Sequence, residues 1–181
     1  SNVNWWSIGE INIYNPSQPE VPVFDPVAFD RSGWSLSSTV NNNQTGNRNL
    51  NLAIDGDTST RWATQTPQVA GQAFRIDLGS AEMISRIILE TEDNPNDYPR
   101  GYAVRGSRDG INYTELSADS NNANNPITTI SLDYPVNYRY LEIEQTNNPG
   151  VGNWWSIHEI NIYTPSPLEP LSIRAWREKH F

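Results

Sequence analysis

From residue 34 onward the chain alternates. "GWSLSSTV" sets Trp34, Leu36 and Ser38 on one side. "AFRIDLGS" turns Phe74, Ile76 and Leu78 one way and Arg75 and Asp77 the other. A period of two marks a strand with one face in a core and the other in water. "ISRIILETE", "GYAVRGS", "RDGINYTEL", "ITTISL", "YRYLEIEQT" and "HEINIY" continue the pattern. Asp109-Gly110 is a hairpin signal, because these residues tolerate the positive φ that tight β-turns need. About eight short strands at turn-marked spacing predict an all-β sandwich or jelly roll.

One strand phrase occurs twice. "NWWSIGEINIY" runs from Asn4 to Tyr14 and "NWWSIHEINIY" from Asn153 to Tyr163, with a single difference, Gly9 against His158. An offset of 149 residues is too long for a solenoid unit and fits a whole domain. Residues 1–14 are therefore expected to be the last strand of a preceding repeat. Residues 15–26, "NPSQPEVPVFDP", are expected to be a Pro-rich extended linker. A complete copy is expected over 27–163, with a second linker and a short basic tail over 164–181.

Composition narrows the function. The net charge is −9, and the 12 basic residues include one lysine, Lys179. Such a chain repels nucleic acid and anionic membrane, and a neutral or cationic partner suits it better. There is no cysteine, which excludes a disulfide scaffold and a thiolate zinc site. No run approaches 18 apolar residues, so no segment is expected to span a membrane.

"NLAIDGDTSTRW" (51–62), "FRIDLGS", "DYPRGYAVRGSRDG" (97–110), "YRYLEIEQT" and "NWWSIHEINIY" occur in this order. In these motifs the chain resembles the discoidin (coagulation factor 5/8 type C) domains. It is most similar to bacterial members grouped with family 32 carbohydrate-binding modules, which occur in tandem on secreted chitosanases and glucanases. The resemblance covers about 27–163. It implies a discoidin-like jelly-roll β-sandwich of five-stranded and three-stranded antiparallel sheets, with a sister module and a catalytic domain in the same polypeptide. It also implies secretion from a bacterium. The chain lacks the cysteine pair of the animal members, and its candidate loops lack the apolar spikes by which some of those bind lipid.

"AIDGDTSTRW" is dense in oxygen donors around a glycine. By itself the loop suits either a hard cation, which takes six to eight oxygens, or an Asx-type turn capped by hydroxyls. The resemblance implies a structural calcium. Its ligands would be the carbonyls of Leu52, Asp57 and His158, the carboxylates of Asp55 and Glu159, and Thr60 through hydroxyl and carbonyl.

A sugar is held by a ring stacked on its C–H face and by planar polar groups. Two loops offer both. One carries Glu92, Asp93, Asp97, Tyr98 and Arg100; the other carries Asn153, Trp154 and Trp155. Adjacent strand residues point to opposite faces, so one tryptophan is expected in the core and one outside, and both are candidates. Trp62 is expected in the core. Arg100 would reach a sugar or pair with Asp97. The acidic run is either a solvated face or a seat for an amino sugar. With no catalytic nucleophile motif and no phosphate loop, a non-catalytic carbohydrate-binding module is expected. Its favoured ligand is chitosan or its oligosaccharides. The alternatives are a neutral β-1,3- or α-1,3-glucan, a galactose-type glycan, or a cell-surface adhesion role.

Overall fold

The computed structural model describes residues 28–40, 45–149 and 152–165. The first copy of the repeated phrase, the linker after it and the tail from residue 166 lie outside the described residues. Every described element is a strand or a short 3-10 turn: β1 (Ser35–Ser38), β2 (Trp62–Ala63), β3 (Ala73–Glu90), β4 (Tyr102–Ser107), β5 (Tyr113–Asp119), β6 (Ile127–Gln145), β7 (Ser156–Ile157) and β8 (Glu159–Tyr163). The 3-10 turns cover Gly46–Arg48 and Leu50–Ala53.

The sequence suggests four short strands where two long ones run. "AFRIDLGS" and "ISRIILETE" are continuous as β3, of 18 residues. "ITTISL" and "YRYLEIEQT" are continuous as β6, of 19 residues. The reason is visible in their pairing. The β3–β6 ladder shifts register between Asp77 and Glu82 and again between Ile84 and Arg86. Such bulges let a strand bend without ending, so each long strand serves two sheets. The first halves of the ladder, Ala73–Asp77 with Tyr140–Glu144, lie in the order β1-β3-β6-β4-β5. The second halves, Arg86–Glu90 with Ile127–Ser131, are joined by β8 on the other side of β3. The result is five strands plus three, all antiparallel, as the jelly-roll expectation required. A small β2–β7 pair stands apart.

The alternating residues meet in one core. Phe74, Ile76, Leu141, Ile143 and Val104 come from the five-stranded part, and Ile87, Leu89, Ile130, Ile160 and Ile162 from the three-stranded part. Trp62 and Trp155 join them, both fully buried. Their rings meet edge to face at 5.4 Å and 85°, the geometry that aligns a ring edge with the electron-rich face of its neighbour. Trp62 makes a second edge contact with Phe74 at 5.0 Å. Burying an aromatic ring removes about 150–250 Å² from contact with water, so this trio anchors the short β2–β7 pair to the large core.

The β4–β5 hairpin forms as the Asp109-Gly110 signal predicts, but over a five-residue loop. Gly110 takes φ +74. Asp109 Oδ1 accepts the backbone N–H groups of Ile111 (2.9 Å) and Asn112 (2.8 Å). These bonds favour the ionised carboxylate and hold Asp109 far below the usual range.

Candidate functional site

Three segments meet around the β2–β7 pair: 60–68, 91–100 and the described residues 146–149 and 152–155. A buried glutamine ties them. Gln68 donates through Nε2 to the carbonyls of Tyr98 (2.9 Å) and Trp154 (2.7 Å). Its own N–H bonds the Asn153 carbonyl at 3.0 Å, and its Oε1 accepts the Arg100 N–H at 3.3 Å. One side chain thus orders the backbone on both sides of the cluster. Nothing in "TQTPQVAGQ" marks Gln68 among its neighbours, because loop residues carry no periodic signal.

Two side-by-side tryptophans resolve into two roles. Trp155, also a candidate ligand platform, packs on Trp62 and has no accessible surface. It is core, because its backbone is drawn inward by pairing with Thr64, whose N–H meets the Trp155 carbonyl at 2.8 Å. Trp154 is half-buried and faces the loops. The Arg61 guanidinium lies 5.8 Å from its ring centre, close enough for a cation–π contact. Arg61 follows from alternation: with Trp62 inward, Arg61 must face outward.

Asp97 does not pair with Arg100. Its carboxylate takes Arg61 at 3.1 Å and the Ser156 hydroxyl at 2.8 Å, and its carbonyl takes the Ser156 N–H. Arg100 instead lies over the Tyr98 ring, 3.6 Å from its centre, and donates to the Tyr98 carbonyl. The loop turns back at Asp97, so the guanidinium beside Asp97 comes from the neighbouring loop. Glu92 and Asp93 are exposed on the loop tip. Asn153 contributes its carbonyl to Gln68, as above. At the rear of the cluster Gly101 permits a close approach: a Cβ there would sit 2.8 Å from the Asn147 side chain. Asn147 uses that room to bond the carbonyls of Arg100 (3.3 Å) and Ser120 (2.5 Å).

The oxygen-rich loop folds beside this cluster. Thr60 donates its hydroxyl toward Asp55 Oδ2 (2.8 Å) and lies 3.1 Å from the Asp57 carbonyl. The Asp57 carboxylate is turned away to cap Ser59, leaving its carbonyl on the Asp55 side. Glu159, buried on β8, accepts the Gly56 N–H at 2.7 Å and pairs with Arg31. Burial pushes the Glu159 carboxyl up against the lowering pull of Arg31, and a hydrogen-bond contact with Asp55 pushes it further. Two carboxylates, a hydroxyl and a loop carbonyl are thus drawn together by the loop and the last strand, with Leu52 and His158 on the same two segments. All are hard oxygen donors once Leu52 and His158 offer carbonyls, a set chemically suited to calcium. Among the described residues no three His, Cys, Asp or Glu side chains cluster around one point, so such a site would rest on two carboxylates and neutral oxygens.

His158 has a ring function the sequence did not suggest. Its Nδ1 meets the Thr58 carbonyl at 2.6 Å and its Nε2 lies 3.0 Å from Asn94 Oδ1. The ring bridges the oxygen-rich loop and the 91–100 loop. This is the one position at which the two copies of the repeated phrase differ.

A twisted antiparallel sandwich that carries its polar and aromatic side chains on loops at its edge belongs to a broad class: rigid scaffolds whose chemistry is set by the loops. Within it, this chain belongs to the F5/8 type C domain family, whose profile matches residues 34–160. No curated protein sequence matches it. Solved structures do. The family 32 CBM of NanJ from Clostridium perfringens, in complex with galactose, is 25% identical with a TM-score of 0.63, covering 77% of this chain and 99% of that one. CpGH89CBM32-5 of the same organism, in complex with GalNAc-β-1,3-galactose, is 19% identical with a TM-score of 0.64, covering 76% and 100%. Chitosan-binding module 2 of a chitosanase/glucanase from Paenibacillus sp. IK-5, in complex with chitotriose, is 24% identical with a TM-score of 0.60, covering 72% and 96%. Among the described residues no helix is long and apolar enough to cross a membrane.

Proposed function

We propose that this domain is a non-catalytic carbohydrate-binding module whose ligand seats at the loop cluster around Trp154. The observation that carries the proposal is the pairing of an outward tryptophan with a guanidinium, Arg61, held by Asp97. An aromatic face takes the apolar C–H face of a pyranose, and the neighbouring Arg, Tyr98 and Asn153 offer hydrogen-bond partners to its hydroxyls. The likeness to modules crystallised with galactose and with chitotriose supports this reading.

Chitosan oligosaccharides are the favoured ligand. Glu92 and Asp93 are exposed at the rim, and the chain carries −9 overall, both of which attract an ammonium-bearing sugar. A neutral glucan is the second reading. It is favoured by Asp97, the rim carboxylate beside Trp154, whose charge is already balanced by Arg61. Calorimetry with chitosan hexamer and laminarin hexamer at low and high salt separates them. Chitosan binding that weakens several-fold as salt rises supports the first, since screening acts on charge pairs. Salt-insensitive laminarin binding supports the second. No binding of either, with intact folding, would overturn the module reading. New reducing ends on incubation with either polymer would overturn the non-catalytic one.

The same reading includes a structural calcium held by Asp55, Thr60, Glu159 and the carbonyls of Leu52, Asp57 and His158. It would supply charge that joins the oxygen-rich loop to β8. Delivery of a secreted polysaccharide-degrading enzyme to its substrate, with a sister module in the same chain, completes the proposal.

A further inference from the structure

The outer face of the five-stranded part carries chemistry that the loop cluster does not use. Cross-strand pairing aligns two rows there. One runs Ser37, Arg75, Glu142, Arg105 and Glu115; the other runs Ser35, Asp77, Tyr140, Ser107 and Tyr113. The charges of the first row neutralise one another. Glu142, only 7% exposed, accepts Arg75 Nε at 2.6 Å and Arg105 Nη1 at 3.0 Å, and Arg105 also pairs with Glu144. Asp77 is matched by Nε and Nη2 of Arg139, at 2.7 and 2.9 Å. The second row sets Tyr140 and Tyr113 on either side of Ser107, two strand spacings or about 10 Å apart. Between these rows lies a hollow of about 270 Å³ lined by Ser35, Ser37, Arg75, Tyr113 and Tyr140. Gly110 keeps it open at one end: a Cβ there would stand 3.4 Å from the Tyr140 ring. Ser35, Ser37 and Arg75 open it to water.

We propose that this hollow is a second carbohydrate subsite, separate from the loop cluster, which takes one ring of a neutral polysaccharide chain lying across the strands. The volume sits just below the range of about 300–1,000 Å³ typical of small-ligand clefts, which suits one sugar ring. The tyrosines supply aromatic surface. The serine and phenol hydroxyls and the free donors of Arg75 supply hydrogen bonds. The charge pairing selects for neutrality: the two charged groups on the lining, Arg75 and Asp77, are already matched by Glu142 and Arg139. Burial, and then the charge of Glu142, raises the Tyr113 phenol, the direction that favours the proton-bearing donor form. With one site at the loops and another on a sheet face, a single module would grip one polymer at two points and gain avidity from the linkage.

The inference stands apart from the loop-cluster reading and is tested separately. The probes are laminarin hexamer and cellohexaose for the sheet face, with chitosan hexamer added for the loop cluster, titrated into the isotope-labelled full chain and followed by amide chemical shifts. The expected result is movement of Ser35–Ser37, Arg75, Tyr113 and Tyr140 with at least one of the neutral probes. These shifts should persist in Trp154→Ala and vanish in Ser37→Trp, which fills the hollow from an exposed position on an edge strand. Tyr113→Ala should weaken them at least several-fold. If shifts stay confined to the loop cluster, the sheet-face subsite is overturned and the loop reading stands. If only the sheet face responds, the loop reading fails and this inference stands. Silence of both regions overturns both.

Discussion

At the scale of single residues, adjacent positions carry unlike duties, and substitution should separate them. Trp154→Ala should leave the melting temperature within a degree and weaken sugar binding about thirtyfold, the ~2 kcal/mol typical of an aromatic anchor. Trp155→Ala removes a ring packed on Trp62 and should cost about 3–5 kcal/mol of stability by urea denaturation. The reverse assignment of losses would place the outward ring at Trp155. His158 offers a sharper comparison, since the upstream copy of the phrase has Gly9 in its place. His158→Gly deletes a ring that bridges Thr58 and Asn94. It should cost about 1–2 kcal/mol, because a buried ring gives up its two contacts with the loops, and it should speed amide exchange in both loops. Unchanged exchange would mean the bridge does not hold them. Alternation in the sequence was enough to say that one tryptophan faces inward. It could not say which, because that depends on the backbone of Trp155 pairing with Thr64, a residue 91 positions away.

At the scale of elements, the last strand is tied to the start of the domain by charge. Arg31 reaches Glu159, and through the same guanidinium the Ile160 carbonyl at 3.3 Å. The oxygen-rich loop reaches Glu159 through Gly56. If calcium occupies that loop, EDTA should lower the melting temperature of protein first shown to be calcium-loaded, and no shift on such protein would sink the site. Arg31→Ala adds a discriminating result. Without calcium it should cost about 2 kcal/mol, as a buried carboxylate loses a charged partner. With calcium the loss should shrink, because the ion compensates the same carboxylate. Equal losses in both conditions would mean that calcium and Glu159 do not interact. The Asp and Thr residues of this loop stood out in the sequence by density alone. Their convergence with Glu159 did not, since a β-sheet register rather than a local pattern brings residues a hundred positions apart together.

At the scale of the whole molecule, the two long bent strands make the five-plus-three sandwich one cooperative body, and surface ion pairs give it a pH dependence. Arg139 hydrogen-bonds Asp77 and holds its carboxyl below the usual range. A depressed folded-state value means that the pairing stabilises the protein above the unfolded value of about 3.9. That contribution is lost as pH falls through the lower, folded-state value. The melting temperatures of the native chain and Asp77→Asn should therefore differ at neutral pH and converge in strong acid. A constant gap would show that Asp77 acts through something other than its charge. Asp77 also lines the sheet-face hollow, so holding it in place bears on ligand binding there.

The sequence by itself determined the class of fold, the strand-borne part of the core and the chemistry of the loops. Strand periodicity and turn residues are local properties, written over a few neighbours at a time. They placed Trp62, Phe74, Ile76 and Leu78 inside and marked the Asp-rich and aromatic loops as the places to look. Tertiary structure decided the rest. It joined four expected strands into two, since bulges appear only when partners are paired. It gave Asp97 to Arg61 rather than Arg100, made Gln68 the hub of three loops, and raised two tyrosines beside a neutralised charge row. Each of these depends on cross-strand register or loop closure between segments far apart in the chain, and such distances leave no mark in local residue patterns.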